Sequence, residues 1–235
     1  MAISTNPLAW LRSVQPRRAI ALLLLLLPLT VGAQTVRDLW LSMPPSFAPY
    51  LSTSLRTQCL DFYDMHTDAQ TDNALKGKSR IDTLTSTFLA ATLSKAHTLQ
   101  MKLLPASGSG LGSSMVSGSS SSLSSCDSVL CVVRSWDGPK RDSEVQLFDR
   151  QWKPLQAPLT FSADSFVCRP DTMSEERFSR LVALLDPIMF SVSLSPAENV
   201  LLVKLSPVVP NPEDEKAIEQ IFVQRKLKWD GKTFK

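Results

Sequence analysis

His97-Thr98-Leu99-Gln100-Met101-Lys102-Leu103-Leu104 is the stretch on which the fold turns. Its odd-numbered members His97, Leu99, Met101 and Leu103 share one face, and Thr98, Gln100 and Lys102 share the other. That period of two marks a half-buried antiparallel strand. Upstream, a turn at Lys76-Gly77-Lys78 and the threonine-rich run Ile81 to Leu93 predict its partner. Downstream, Val129 to Trp136 is apolar on both faces and so is expected at the centre of the sheet, with Asp137-Gly138-Pro139 turning it into Ser143 to Asp149. Leu159 to Ala163, Ile188 to Leu194, Val200 to Leu205 and a short Lys226 to Phe234 segment supply the remaining strands.

Helices fall before and between these runs. Arg37 to Met43 reads as a short helix stopped by Pro44-Pro45. Ser46 is expected to cap a longer one to about Tyr63, with Leu51, Leu55, Cys59 and Phe62 on its buried stripe. Thr172 with Glu175 forms a capping-box pattern for a helix to Leu185, and Pro212 with Glu213 to Glu215 opens the last one. Helix, strands, helix, strands with tight turns between strands predicts the α+β class: an antiparallel sheet of about seven to eight strands with helices packed on one face. The order also suggests two loosely similar α-then-β halves, each carrying a Trp-Asp-Gly turn, at Trp136 and at Trp229.

The first 33 of the 235 residues read as a cleaved signal peptide. Arg12, Arg17 and Arg18 form a positive start, Ala19 to Leu29 an apolar core, and Val31-Gly32-Ala33 a small-residue cleavage site. The apolar run is broken at Pro28 and is shorter than the ~18 residues a membrane span requires. Residues 34–235 are then expected to form a single α+β domain, periplasmic or extracellular and not membrane-embedded. Within it, residues 107–125 hold 11 serines and 4 glycines and read as a flexible surface insertion, too poor in apolar area to offset its ordering entropy.

Removing the leader takes three of the 25 basic residues and no acid, leaving 22 basic against 22 acidic side chains. Such neutrality argues against nucleic acid as a partner, because polyanion binding rests on clustered cations. Cys59, Cys126, Cys131 and Cys168 would all meet an oxidising compartment, which leaves three pairings open. Cys59 and Cys131, however, lie in apolar patterns that read as buried thiols.

Little here points to catalysis. Gly108-Ser109-Gly110-Leu111-Gly112 is followed by polyserine rather than a helix, so it lacks the amide cradle of a phosphate site. No Gly-x-Ser-x-Gly occurs, and His97 reads as a structural histidine near a hairpin. Asp61, Asp64, His66 and Asp68, with Asp72 beyond, are candidate metal ligands by residue type, but they lack the alternating acids and central glycine of a calcium loop, and a solvated helix end is the plainer reading. No cofactor is expected. Trp40, Trp136, Trp152 and Trp229 sit at element ends, where an amphipathic ring serves either as core rim or as an interaction surface.

Several segments resemble an uncharacterised family of exported bacterial proteins, domain of unknown function 3256. They are Arg37-Asp38-Leu39-Trp40-Leu41-Ser42-Met43-Pro44, Leu60-Asp61-Phe62-Tyr63-Asp64-Met65, Thr98 to Pro105, Asp149-Arg150-Gln151-Trp152 and Trp229-Asp230-Gly231-Lys232. The resemblance runs from Val36 to Phe234, with the serine-rich stretch as a departure. It carries no catalytic residue, ligand or partner onto these positions. The expectation is therefore an exported, non-enzymatic interaction or structural module that meets an unidentified envelope protein, with a small-ligand or peptide binder as the alternative and a hydrolase behind both.

Overall fold

The computed structural model describes residues 34–106, 128–209 and 211–235. Helix α1 (Val36–Ser42) begins at a reciprocal cap: the Thr35 amide donates to Asp38 Oδ2 at 2.7 Å, and the Asp38 amide donates to Thr35 Oγ1 at 3.4 Å. It buries Val36, Leu39 and Trp40 and ends before Pro44-Pro45. Helix α2 (Thr53–Asp64) starts at Ser52, which accepts from the Leu55 amide, and not at Ser46. Pro45–Phe47 instead winds one short 3-10 turn, and the backbone bends before it can propagate.

Six strands follow one another as an antiparallel meander: β1 (Thr71–Asp72), β2 (Lys78–Leu84), β3 (Phe88–Ser94), β4 (His97–Pro105), β5 (Ser128–Asp137) and β6 (Arg141–Phe148). The single run predicted over Ile81 to Leu93 is thus a hairpin, because Thr85 folds back through its amide to the Phe88 carbonyl at 2.7 Å. Strands β4 and β5 pair from His97 opposite Trp136 to Pro105 opposite Ser128. Pro105 and Ser128, which flank the serine-rich stretch, thus stand opposite each other; the predicted flexibility of that stretch and Cys126 lie outside the described residues.

After a 3-10 turn at Ala163–Phe166 come α3 (Glu175–Ala183), β7 (Phe190–Leu194), β8 (Val200–Leu205), α4 (Pro212–Glu219) and β9 (Arg225–Lys228), with β7, β8 and β9 forming a second antiparallel sheet in that order. The cap of α3 is Ser174, accepting from Arg177, in place of Thr172. Leu159 makes only an isolated bridge to Val145. The class is α+β, with helices, then six strands, then a helix and the smaller sheet.

Two buried cores lie on the two faces of the central sheet. One is formed with α1 and α2 by Leu39, Trp40, Leu60, Leu89, Leu99 and Leu130 among others. The other joins Val129, Cys131, Val133 and Val145 to Leu181, Leu201, Val203 and Ile218 of the C-terminal elements. Strand β5 alternates between the two, as its apolar run predicted. Strand β4, expected to be half buried, is covered on both faces, and Lys102 is 2% exposed. Its Nζ donates to the carbonyls of Ser195, Pro196 and Glu198 in the β7–β8 turn, using all three protons. The outward amides of β7 are met by side chains of the large sheet: Leu194 donates to Gln100 Oε1 at 2.7 Å and Val192 to Ser143 Oγ at 3.1 Å. Side-chain acceptors there replace a backbone ladder, which is why the strands divide between two sheets.

Candidate functional site

The apolar face that packs under α1 and α2 turns polar at one end of the sheet. Counting by twos along β5, Leu130 and Val132 are core, and Arg134 and Trp136 continue the same face beyond it. Opposite Trp136 in β4 stands His97, and their rings stack with centroids 5.3 Å apart and planes within 8°. The Arg134 guanidinium lies 5.4 Å from the Trp136 ring centroid and 4.9 Å from that of Phe47. Both oxygens of Glu144, its register partner in β6, accept from Arg134 Nη2 at 3.0 and 2.9 Å. Trp136 thus packs against two planar groups, and the residue remains 39% exposed.

His97 itself is 8% exposed. Its Nδ1 lies 2.6 Å from the Tyr50 hydroxyl, while Nε2 is buried without a hydrogen-bond partner. Burial holds the imidazole below its ordinary pKa, and the charge of Arg134 adds to the effect. Burial likewise pushes the Tyr50 phenol up, against a hydrogen bond with Ser94. A neutral ring that donates from Nδ1 to Tyr50 leaves only a lone pair at Nε2, whereas the opposite tautomer would bury an unmade N–H. The Nδ1–H tautomer therefore fits this site.

The four predicted surface tryptophans separate sharply. Trp40 is fully buried, donating from Nε1 to the Arg56 carbonyl at 3.0 Å, and Trp152 is 7% exposed against Phe47 and Phe148. Neither offers an interaction surface, because Trp40 lies on the buried face of α1 and Trp152 packs against Phe47 of the 3-10 turn, both within the same core. Trp229 is half-buried, donates to the Pro105 carbonyl at 2.7 Å and packs on Phe234. Of the four, Trp136 is the one that is exposed.

Asp61, Asp64, His66 and Asp68 do not assemble. Arg37 forms an ion pair with Asp64, drawing that carboxylate below its usual pKa, and His66, in the left-handed region at φ 52°, donates from Nδ1 to the Tyr63 carbonyl at 3.1 Å. His66 and Asp68 line a polar cleft of about 610 Å³ beside β2, with Tyr63, Arg80 and Asp82. Among the described residues no three His, Cys, Asp or Glu side chains converge on a metal-sized point. Cys59 and Cys131 are buried free thiols in different cores, both raised in pKa by burial, and Cys168 is an exposed free thiol.

Tyr50, Arg134 and Phe47 escaped the sequence reading. Arg134 and Trp136 two residues apart on one strand face were a legible signal; the 97-to-136 register across the long insertion was not. No curated protein matches the chain. A domain of an uncharacterised protein from Porphyromonas gingivalis W83 has a similar fold, with a TM-score of 0.58 and 21% identity over 85% of this chain and 98% of that one. The family model for proteins of unknown function designated DUF3256 matches residues 28–128 and 120–234, and the chain belongs to that family.

Proposed function

We propose that the protein is exported, loses residues 1–33 as a signal peptide, and works in the periplasm or outside the cell as a single-domain, non-enzymatic module that recognises an envelope protein through the Trp136 corner. The observation that carries this is an exposed tryptophan whose indole stacks on His97 and packs against Arg134, since a pre-ordered aromatic anchor loses little entropy on binding. A non-catalytic role is supported by His97, whose Nδ1 is occupied by Tyr50 and whose Nε2 meets no nucleophile. Export is supported by the pattern of the leader and by the compact unit that residues 34–235 form on their own.

The test is capture from envelope extract on immobilised wild type and on Trp136→Ala, with the N-terminus of the cell-derived protein sequenced alongside. A partner retained by the first and lost by the second is expected, together with a start at Gln34. Identical captures refute the recognition surface, and a cytoplasmic form still bearing Met1 refutes export.

A second reading, a small-ligand binder, rests on a cleft of about 370 Å³ lined by Leu205, Val209, Ile218 and Phe222, with the Lys140–Glu215 ion pair at its rim. Thermal-shift screening against amphipathic small molecules tests it; no stabilisation by any of them removes it.

A further inference from the structure

We propose that His97 is a pH-sensitive latch beneath Trp136: the neutral ring holds the indole in its stacked position, and protonation releases it. The inference rests on reading the Trp136 corner as the recognition surface, and it supplies that surface with a regulator.

The geometry leaves the imidazole little room for a second proton. Tyr50, from the segment before α2, takes Nδ1. Nε2 has neither a protein partner nor solvent access. Strand β5 adds the Arg134 guanidinium, a positive charge 5.4 Å from the Trp136 ring centroid, and β6 contributes Glu144, whose carboxylate is already engaged by both of its oxygens with Arg134. Asp142, opposite Trp136 in β6, spends Oδ1 on the Ser143 and Phe190 amides, and Asp137 is paired with Arg141. Lys95, in the β3–β4 turn, is exposed and of the same sign as an imidazolium.

A proton placed on Nε2 therefore creates a buried charged donor with no acceptor, in the field of a like charge. The ring escapes by leaving the stack, which carries Nε2 to water and separates it from the indole. The sign follows: the open arrangement titrates at about the ordinary histidine value of 6.5 and the closed one lower. The closed corner is thus favoured above about pH 6.5 and loses ground as pH falls below it.

The indole N–H resonance of Trp136, assigned in ¹⁵N-labelled protein with Trp136→Phe, reads the latch directly. Between about pH 8 and about pH 4.5 it is expected to titrate with a midpoint below about 6.5, and iodide or acrylamide quenching of Trp136 to rise about twofold over the same range. Both changes should vanish in His97→Gln. Arg134→Met serves as a second variant should His97→Gln fail to fold: removing the neighbouring cation moves the midpoint upward. An indole that does not titrate, or titrates identically in His97→Gln, overturns the latch, as does an unmoved midpoint in Arg134→Met. Capture by Trp136→Ala at neutral pH reports on recognition alone, so failure of the one is separable from failure of the other.

Discussion

Replacing Lys102 by methionine retains most of the side chain's length and volume and deletes the ammonium that ties β4 to the β7–β8 turn. That ammonium donates to Ser195 and Glu198 at 2.6 Å and to Pro196 at 3.1 Å, bridging more than ninety positions of sequence. Hydrogen bonds from a charged donor contribute about 1.5–3 kcal/mol each, so three are worth roughly 5–9 kcal/mol before costs. Against them stands the desolvation of a cation, several kcal/mol, which also draws the Lys102 pKa down. The carbonyls released in Lys102→Met sit in a turn whose residues are half-buried or exposed, so water recovers part of the loss. A net destabilisation of about 1–3 kcal/mol follows. Urea unfolding at neutral pH should show a lower midpoint with an unchanged slope, and hydrogen exchange should quicken in β7 and β8 while β3 stays protected. A loss under about 0.5 kcal/mol with unchanged exchange in β7 and β8 would refute the assignment of Lys102 as the clasp between the two halves.

Truncating the fully buried ring in Trp40→Ala should cost about 3–5 kcal/mol by the same urea assay, from the cavity and the lost bond to the Arg56 carbonyl. Asp38→Asn should weaken the α1 cap by about 0.5–1 kcal/mol near neutrality. The amide and then the hydroxyl of Thr35 hold the Asp38 carboxyl below its usual pKa, so the contribution is complete above about pH 4 and fades as pH falls through the lowered value. Unfolding curves of wild type and Asp38→Asn should therefore converge in acid. Under a thiol reagent without denaturant, peptide mapping should find Cys168 modified ahead of Cys59 and Cys131, whose buried sulfurs stay protonated until the fold opens.

Particular residues mark the limit of what the chain reveals in one dimension. Alternation in His97 to Leu103 identified a strand and an antiparallel sheet, and the apolar run at Val129 to Val133 located the central strand. Lys102 read as solvent-facing because period two assigns a face but not what covers it; a turn from the distant β7–β8 hairpin does so here. Ser46 reads as the cap of the second helix, yet the cap is Ser52, and the segment around Ser46 instead winds a 3-10 turn whose Phe47 packs against Phe148 and Trp152. Four tryptophans at element ends were indistinguishable until helix docking buried Trp40 and Trp152 and left Trp136 at the edge.

The amino-acid sequence by itself determined the α+β class, the family resemblance and the expectation of export, since composition, periodicity and the leader pattern are local properties of the chain. Tertiary structure decided the division into two sheets, the burial of Lys102 and the meeting of Tyr50, His97, Arg134 and Trp136. The physical reason is register. A shift of one residue between β4 and β5 would send His97 and Trp136 to opposite faces, and their pairing across the serine-rich insertion depends on the packing of both cores at once.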